Sequence, residues 1–253
     1  MPHEDQHVPL EVAAVLAASA VNGPGQRAVI WLQGCDLRCP GCFNPDFLEV
    51  RPARTVRTEV LVEWALGLAG VEGITLSGGE PTLQAEGLVP LCRALQDQGL
   101  GVVSYSGHRY EELLDQARSR PALTELLGTL DLLIDGPYER RLAPGGLWRG
   151  SANQRLVPLS ERYEQACKDA DARGLVGAVE VHVAHGSATW TGTFSSSLAS
   201  EVAALTGRQA GASGLSAERG QQGAADPNGS GCRAELAGRK RLAGRNGDAD
   251  GRH

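Results

Sequence analysis

Up to about residue 193, short apolar runs alternate with amphipathic stretches. The runs at residues 28–32, 73–76, 101–105 and 130–134 predict strands. Between them lie helical patterns. In residues 55–68, Val60, Trp64 and Leu68 recur on one helical face, and Thr55 is placed to cap the N-terminus. In the next helix Leu88, Leu91 and Leu95 form the stripe, Gly99 supplies the stop, and Pro90 marks the start, because proline suits a first turn. A third helix covers residues 109–118, and residues 123–127 add another turn. Residues 179–183 and 188–191 predict a closing hairpin around His185-Gly-Ser187.

Strand–helix alternation with short links implies an α/β fold, a mostly parallel sheet covered by helices. Right-handed crossovers would curl it into a partial (β/α) barrel. Beyond about residue 205 the chain is rich in Gly, Ala, Arg, Ser and Gln, and almost lacks large apolar residues after Leu242. Such a segment buries too little surface to offset its ordering entropy. The expected organisation is therefore a core domain over residues 1–195 and a low-complexity, disordered C-terminal tail over 196–253.

The length, 253 residues, suits one sizeable domain plus a tail, and a net charge of −6 gives no electrostatic case for nucleic acid. Lys168 and Lys240 are the only lysines, a bias without mechanistic meaning. Six cysteines in a chain this long do not make a disulfide scaffold and fit a reducing compartment. Cys92 lies in an apolar helical pattern, as a small buried hydrophobe would. The Ala-rich stretch 10–20 looks like an export signal core, but its flank Met1-Pro-His-Glu-Asp-Gln lacks positive charge and Glu11 interrupts it. No run approaches the roughly 18 apolar residues of a membrane span. A cytoplasmic protein is expected.

Two motifs carry chemistry. Cys35, Cys39 and Cys42 lie in Trp31-Leu-Gln-Gly-Cys-Asp-Leu-Arg-Cys-Pro-Gly-Cys-Phe-Asn44. Three thiolates can hold three irons of a cubane and leave the fourth open, whereas structural zinc is closed by four ligands. Alone, this spacing leaves an iron–sulfur site, a zinc site with an unidentified fourth ligand, and coincidence all open. The second motif, Ser77-Gly-Gly-Glu-Pro81, follows a predicted strand, where parallel α/β folds place functional loops. Glycines admit a ligand close to the backbone, and Glu80 can accept hydrogen bonds from an ammonium. Alone it is only a turn; one strand–loop unit from the cysteines it gains weight.

These residues resemble the radical S-adenosylmethionine superfamily, and more narrowly the activating proteins of anaerobic ribonucleotide reductase, a glycyl-radical enzyme. The resemblance spans about residues 21–155. Besides the two motifs it includes Asn22-Gly-Pro-Gly-Gln-Arg27, Tyr105-Ser-Gly107 with Glu111-Glu-Leu113, Leu133-Ile-Asp-Gly-Pro-Tyr138 and Trp148-Arg-Gly-Ser-Ala-Asn-Gln154. It implies a radical S-adenosylmethionine barrel, with Cys35, Cys39 and Cys42 as ligands of a 4Fe–4S cluster. Gly78, Gly79 and Glu80 would meet the methionine ammonium of S-adenosyl-L-methionine. Ser106 would supply a hydroxyl, Asp135 would organise the cofactor site, and Ser151 and Asn153 would lie near the ribose and carboxylate. The implied activity is reductive cleavage of S-adenosylmethionine to a 5′-deoxyadenosyl radical, which takes a hydrogen atom from a glycine of a partner enzyme. A flavodoxin or ferredoxin would donate the electron.

Departures from the pattern are specific. Many members carry an aromatic residue before the third cysteine; here it is Gly41, leaving Phe43 as a candidate for adenine packing. Some activating enzymes have lysine where Pro137 stands, so no ammonium comes from that position. Trp31 and Leu32 read as core, His108 as a surface histidine, and His182 and His185 as no zinc pair. Asp36 and Arg38 form either a solvated pair or a tuning pair, and Arg140, Arg141 and Arg149 either a solvated loop or a face for an acidic partner. Two alternatives stand beside the main expectation: a radical enzyme acting on another peptide or small molecule, and a noncatalytic iron–sulfur or zinc protein.

Overall fold

The computed structural model describes residues 8–184 and 187–193, so the predicted tail, Cys232 and His185 lie outside the described residues. Seven strands build one sheet: β1 (Leu10–Ser19), β2 (Arg27–Leu32), β3 (Arg54–Val56), β4 (Gly73–Gly78), β5 (Gly101–Ser106), β6 (Leu132–Asp135) and β7 (Arg155–Pro158). Their order is β3-β1-β2-β4-β5-β6-β7. The four central strands, β2-β4-β5-β6, run parallel, while β1, β3 and β7 add antiparallel margins. The expected α/β fold with a mostly parallel sheet is what the chain adopts.

Four helices supply the crossovers: α1 (Thr58–Leu66), α2 (Ala85–Gln96), α3 (Tyr110–Ala117) and α4 (Pro121–Gly128). They pack on one face of the sheet, where Ile30, Leu32, Ile74, Leu76 and Leu133 meet Leu61, Leu88, Leu91, Leu95 and Leu123 in the main core. Every residue of β2 is buried, because side chains alternate between two covered faces. Ala28, Ile30 and Leu32 enter the main core, whereas Val29 and Trp31 pack with Phe47 on the other side. On that second face Tyr163, and Cys167 and Ala170 of α5 (Glu164–Ala172), cover β5 and β6. The predicted hairpin is present as β8 (Val179–Ala184) and β9 (Ser187–Gly192).

Three local expectations shift. Thr55 does not cap α1; it is drawn into β3, paired with Glu11, whose carboxylate accepts from its hydroxyl at 2.7 Å. The helix therefore begins at Thr58 and buries Leu61 and Ala65 deepest, with Val60 and Trp64 partly buried at the edge. Pro90 does not open α2, which starts five residues earlier at Ala85, after a 3₁₀ turn over Pro81–Gln84. The carbonyl that loses its helical donor belongs to exposed Glu86, where water can serve it. The stretch resembling an export core is β1, held on both edges by β2 and β3.

At the N-terminal ends of the parallel strands Arg27 is fully buried. Its guanidinium donates to Thr75 Oγ1 (2.8 Å), the Pro24 carbonyl (3.1 Å), Tyr163 Oη (2.8 Å) and the carbonyls of Ile74 and Gly101, and it lies 5.3 Å from the Tyr163 ring centroid. Burial lowers its pKa from the usual arginine value. A Cβ on Gly73 would fall 2.7 Å from this guanidinium, so the glycine makes room for a plug that closes the barrel floor.

Candidate functional site

The opposite, C-terminal ends of β2, β4, β5 and β6 open into one cleft, as expected for a parallel sheet of this kind. Cys35, Cys39 and Cys42 line it together with Gly78, Gly79, Glu80 and Ser106. The cysteine loop leaves β2 and is pinned at its base: Gly34 N donates to Phe47 O (2.8 Å) and Cys35 N to Leu48 O (3.1 Å). Within it Cys42 N donates to Cys39 O at 3.1 Å, a turn helped by Gly41 at φ +76°.

The acid loop is bound to the cysteine loop by two backbone hydrogen bonds and by Asn44, whose Nδ2 donates to Gly78 O at 3.1 Å. Gly79 N donates to Leu32 O and Glu80 N to Gly34 O, both at 2.8 Å. A Cβ on Gly78 would fall 2.4 Å from Leu32 N, and one on Gly79 only 2.0 Å from Gly34 O. Both glycines are thus required by the approach of two protein loops, a stronger reason than ligand access.

Glu80 is 1% exposed. One carboxylate oxygen accepts from Thr82 N (3.1 Å), Thr82 Oγ1 (2.7 Å) and Ser106 Oγ (3.0 Å), and the other from Gly107 N (2.9 Å). Among the described residues no cation pairs with it. A buried carboxylate held by neutral donors keeps a lone-pair site on its second oxygen and favours a positive ligand.

Asp135, Ser151 and Asn153 do not line the cleft; each is the chain neighbour of a residue that does, Gly136, Gly150 and Gln154. Asp135 is fully buried, accepts from Tyr110 N at 2.7 Å, and is clamped by the Arg155 guanidinium, which also reaches Glu111 on α3. Those hydrogen bonds, Asp135 first and Glu111 second, hold Arg155 still more firmly protonated than usual. The positive charge that Pro137 cannot provide comes to Asp135 from β7. Ser151 Oγ accepts from Glu139 N at 3.0 Å, and Asn153 Nδ2 donates to Pro137 O at 2.7 Å.

Residues without an assigned role also reach the cleft. Gln154 ties two of its loops, accepting from Gly150 N (2.8 Å) and Ser151 N (3.2 Å) and donating to Gly136 O (2.9 Å). Phe43 packs edge-on against Tyr138 with ring centroids 4.6 Å apart, both rings lining the cleft. Asn22, Thr191 and Thr193 line it too. Asn22 and Gln154 sat inside the quoted motif runs; nothing in the sequence marked the two threonines. His108 is mostly buried, 3.6 Å from Asp36 and 3.9 Å from Glu112, so it braces the cysteine loop against α3.

The donor set fits a cubane. Burial pushes the Cys35 thiol up, opposed by the backbone amides of Arg38 and Leu37, and burial raises Cys42 to about 11. Binding iron would therefore release protons from these thiols. Among the described residues no three His, Cys, Asp or Glu side chains converge tightly enough to hold a single metal ion. In a cubane each thiolate takes a different iron, and the three thiols line one cleft. Asn153 Oδ1 is buried without a hydrogen-bond partner, an acceptor behind the same wall.

The family model described as a 4Fe-4S single cluster domain matches residues 21–157. The chain is similar to the anaerobic ribonucleoside-triphosphate reductase-activating protein of Enterobacteria phage T4, 32% identical over 143 residues, which cover 54% of this chain and 86% of that relative. It is 27% identical over 144 residues to the protein of the same description from Escherichia coli strain K12, covering 53% and 89%. To the pyruvate formate-lyase-activating enzyme of Clostridium pasteurianum it is 32% identical over 112 residues, 41% of this chain and 47% of the relative. The chain belongs to the family of 4Fe-4S single cluster domains, within the radical S-adenosylmethionine superfamily.

Proposed function

We propose that the protein activates a glycyl-radical enzyme, most closely an anaerobic ribonucleotide reductase, by removing a hydrogen atom from a glycine of that partner. The carrying observation is Glu80: its buried carboxylate pairs with no cation among the described residues and shares a cleft with Cys35, Cys39 and Cys42, and its backbone amide is hydrogen-bonded to their loop.

Cys35, Cys39 and Cys42 would hold the 4Fe–4S cluster, leaving one iron without a protein ligand. When bound, the reduced cluster and S-adenosylmethionine supply one-electron cleavage of the sulfonium carbon–sulfur bond and hence a hydrogen-abstracting 5′-deoxyadenosyl radical. Glu80 would accept the methionine ammonium on its less occupied oxygen, oriented by Thr82, Ser106 and Gly107. Gly78 and Gly79 fix that carboxylate relative to the cysteine loop. Ser106 would act through Glu80, and Asp135, Ser151 and Asn153 through the loops bearing Gly136, Gly150 and Gln154. Phe43 and Tyr138 supply an apolar wall that limits water. The electron would come from a flavodoxin or ferredoxin. Among the described residues no helix is long and apolar enough to cross a membrane.

The test is electron paramagnetic resonance on an anaerobic ribonucleotide reductase incubated with the reconstituted protein, S-adenosylmethionine and a reductant. A glycyl-radical doublet is expected. Consumption of S-adenosylmethionine without the doublet would favour a radical enzyme with a different substrate.

A further inference from the structure

Asp36 and Arg38, a pair by sequence, part company in the structure. Arg38 stands exposed at φ +47°, with no carboxylate partner among the described residues. Asp36 turns instead to His108, whose Nε2 lies 3.6 Å from Asp36 Oδ1. The same two loops touch through Leu37, since a Cβ on Gly107 would fall 2.4 Å from its Cδ1. His108 follows directly on the residues that hold Glu80: Ser106 Oγ donates to one carboxylate oxygen and Gly107 N to the other. The His108 amide in turn donates to Ser106 Oγ at 3.1 Å. One short turn after β5 thus grips the acid of the cleft on one side and the cysteine loop on the other.

The neighbours of the ring place its proton. Gln116 Oε1 accepts from Arg120 Nη1 at 3.5 Å, which turns the Gln116 Nε2 toward His108 Nδ1, also at 3.5 Å. Nδ1 is then an acceptor, and the N–H of the neutral ring sits on Nε2, facing Asp36. Glu112, 3.9 Å from Nδ1, has that oxygen engaged by Arg109 N at 2.9 Å. Arg120 also donates to Thr82 O at 2.7 Å, so the acid loop holds the ring through Gln116 on α3.

Asp36 is the chain neighbour of Cys35. Burial raises the Cys35 thiol most, the amides of Arg38 and Leu37 oppose it, and the carboxylates of Glu80 and Asp36 add to the rise. The field of Asp36 therefore reaches a sulfur that would hold iron. That field also opposes an electron arriving on the iron, because reduction adds negative charge. At 3.6 Å the His108 N–H is beyond a direct hydrogen bond, yet its dipole, or its full charge once protonated, offsets part of the carboxylate.

We propose that His108 is a positioning residue that sets the reduction potential of the cluster, by holding Asp36 and offsetting its charge beside Cys35. This rests on the proposed function and adds to it the pair that decides how readily the cluster accepts one electron, passing from the 2+ to the 1+ state.

The full-length chain is reconstituted without oxygen and titrated with dithionite and redox mediators, the 1+ cluster being followed by electron paramagnetic resonance. Asp36→Asn should raise the reduction equilibrium constant about tenfold, or about 59 mV for one electron. His108→Leu should lower it about threefold, or about 30 mV, and His108→Gln, whose amide reaches the place of Nε2, should restore most of it. In the Asp36→Asn background His108→Leu should shift nothing. A merely structural role would instead change cluster content in both backgrounds and leave the potential of the loaded fraction alone. An unshifted potential in Asp36→Asn, or a His108→Leu shift that persists without the Asp36 carboxylate, would overturn the inference. Asp36 is half exposed, so its variant decides the matter even if the His108 variants fail to fold. Cluster content and S-adenosylmethionine cleavage report on the proposed function separately. A chain that binds no cluster sinks both readings, whereas loaded clusters of equal potential sink only the role of His108.

Discussion

The backbone amide of Glu80 donates to the carbonyl of Gly34 at 2.8 Å, one residue before the first cysteine of the cluster loop. This bond joins the acid and the thiols into one rigid unit, built on neighbouring parallel strands whose register pairs Leu32 with Gly78. The distance between carboxylate and cysteine loop is therefore set by the sheet rather than by flexible side chains.

Gly79→Ala tests that unit. Its Cβ would fall 2.0 Å from the Gly34 carbonyl oxygen, a backbone atom that cannot swing away. Separation of the loops should cost about 1–3 kcal/mol of stability, as overpacking does. Denaturant unfolding should show the loss, together with lower cluster content.

Glu80→Gln keeps the shape and removes the charge. Loss of a charge-assisted hydrogen bond to an ammonium costs about 1.5–3 kcal/mol, or about ten- to hundredfold in S-adenosylmethionine affinity. Equilibrium dialysis of the cofactor on the reconstituted variant should reveal that drop at nearly unchanged cluster content.

Sequence and structure agree most closely where local pattern and tertiary demand coincide. The four parallel strands were legible because each is an apolar run between turn residues, and the cysteines and Glu80 because their spacing is rare. Strand β1 was not, since its alanine-rich sequence gains strand character from β2 and β3 on its two edges. Thr55 misled for a related reason: Glu11, more than forty residues away, captures its hydroxyl. Thr191 and Thr193 carry no local signal, and their places in the cleft depend on hydrogen bonds to the distant Asn22 and Gly146 respectively.

Arg155→Leu probes the clamp behind the cleft. Asp135, fully buried, would lose its cation, and breaking such a pair costs about 3 kcal/mol. Adding Asp135→Asn should recover part of the loss, since the two residues share one interaction. A thermal melt of the single and double variants distinguishes this coupling from simple additivity.

The cysteines should divide sharply by environment. Cys39→Ala should abolish both cluster colour and cofactor cleavage. Cys92, fully buried with its thiol raised to about 12 by burial, sits in the helical core. Cys92→Ala should retain the cluster and lose about 1 kcal/mol from the small cavity. Iron content and a melting curve on each variant check the contrast.

The most direct test is reconstitution with iron and sulfide in the absence of oxygen, followed by dithionite and S-adenosylmethionine. A brown protein holding one 4Fe–4S cluster and releasing 5′-deoxyadenosine and methionine is the predicted result. A colourless chain carrying a single zinc ion, or a loaded cluster that leaves S-adenosylmethionine intact, would contradict it.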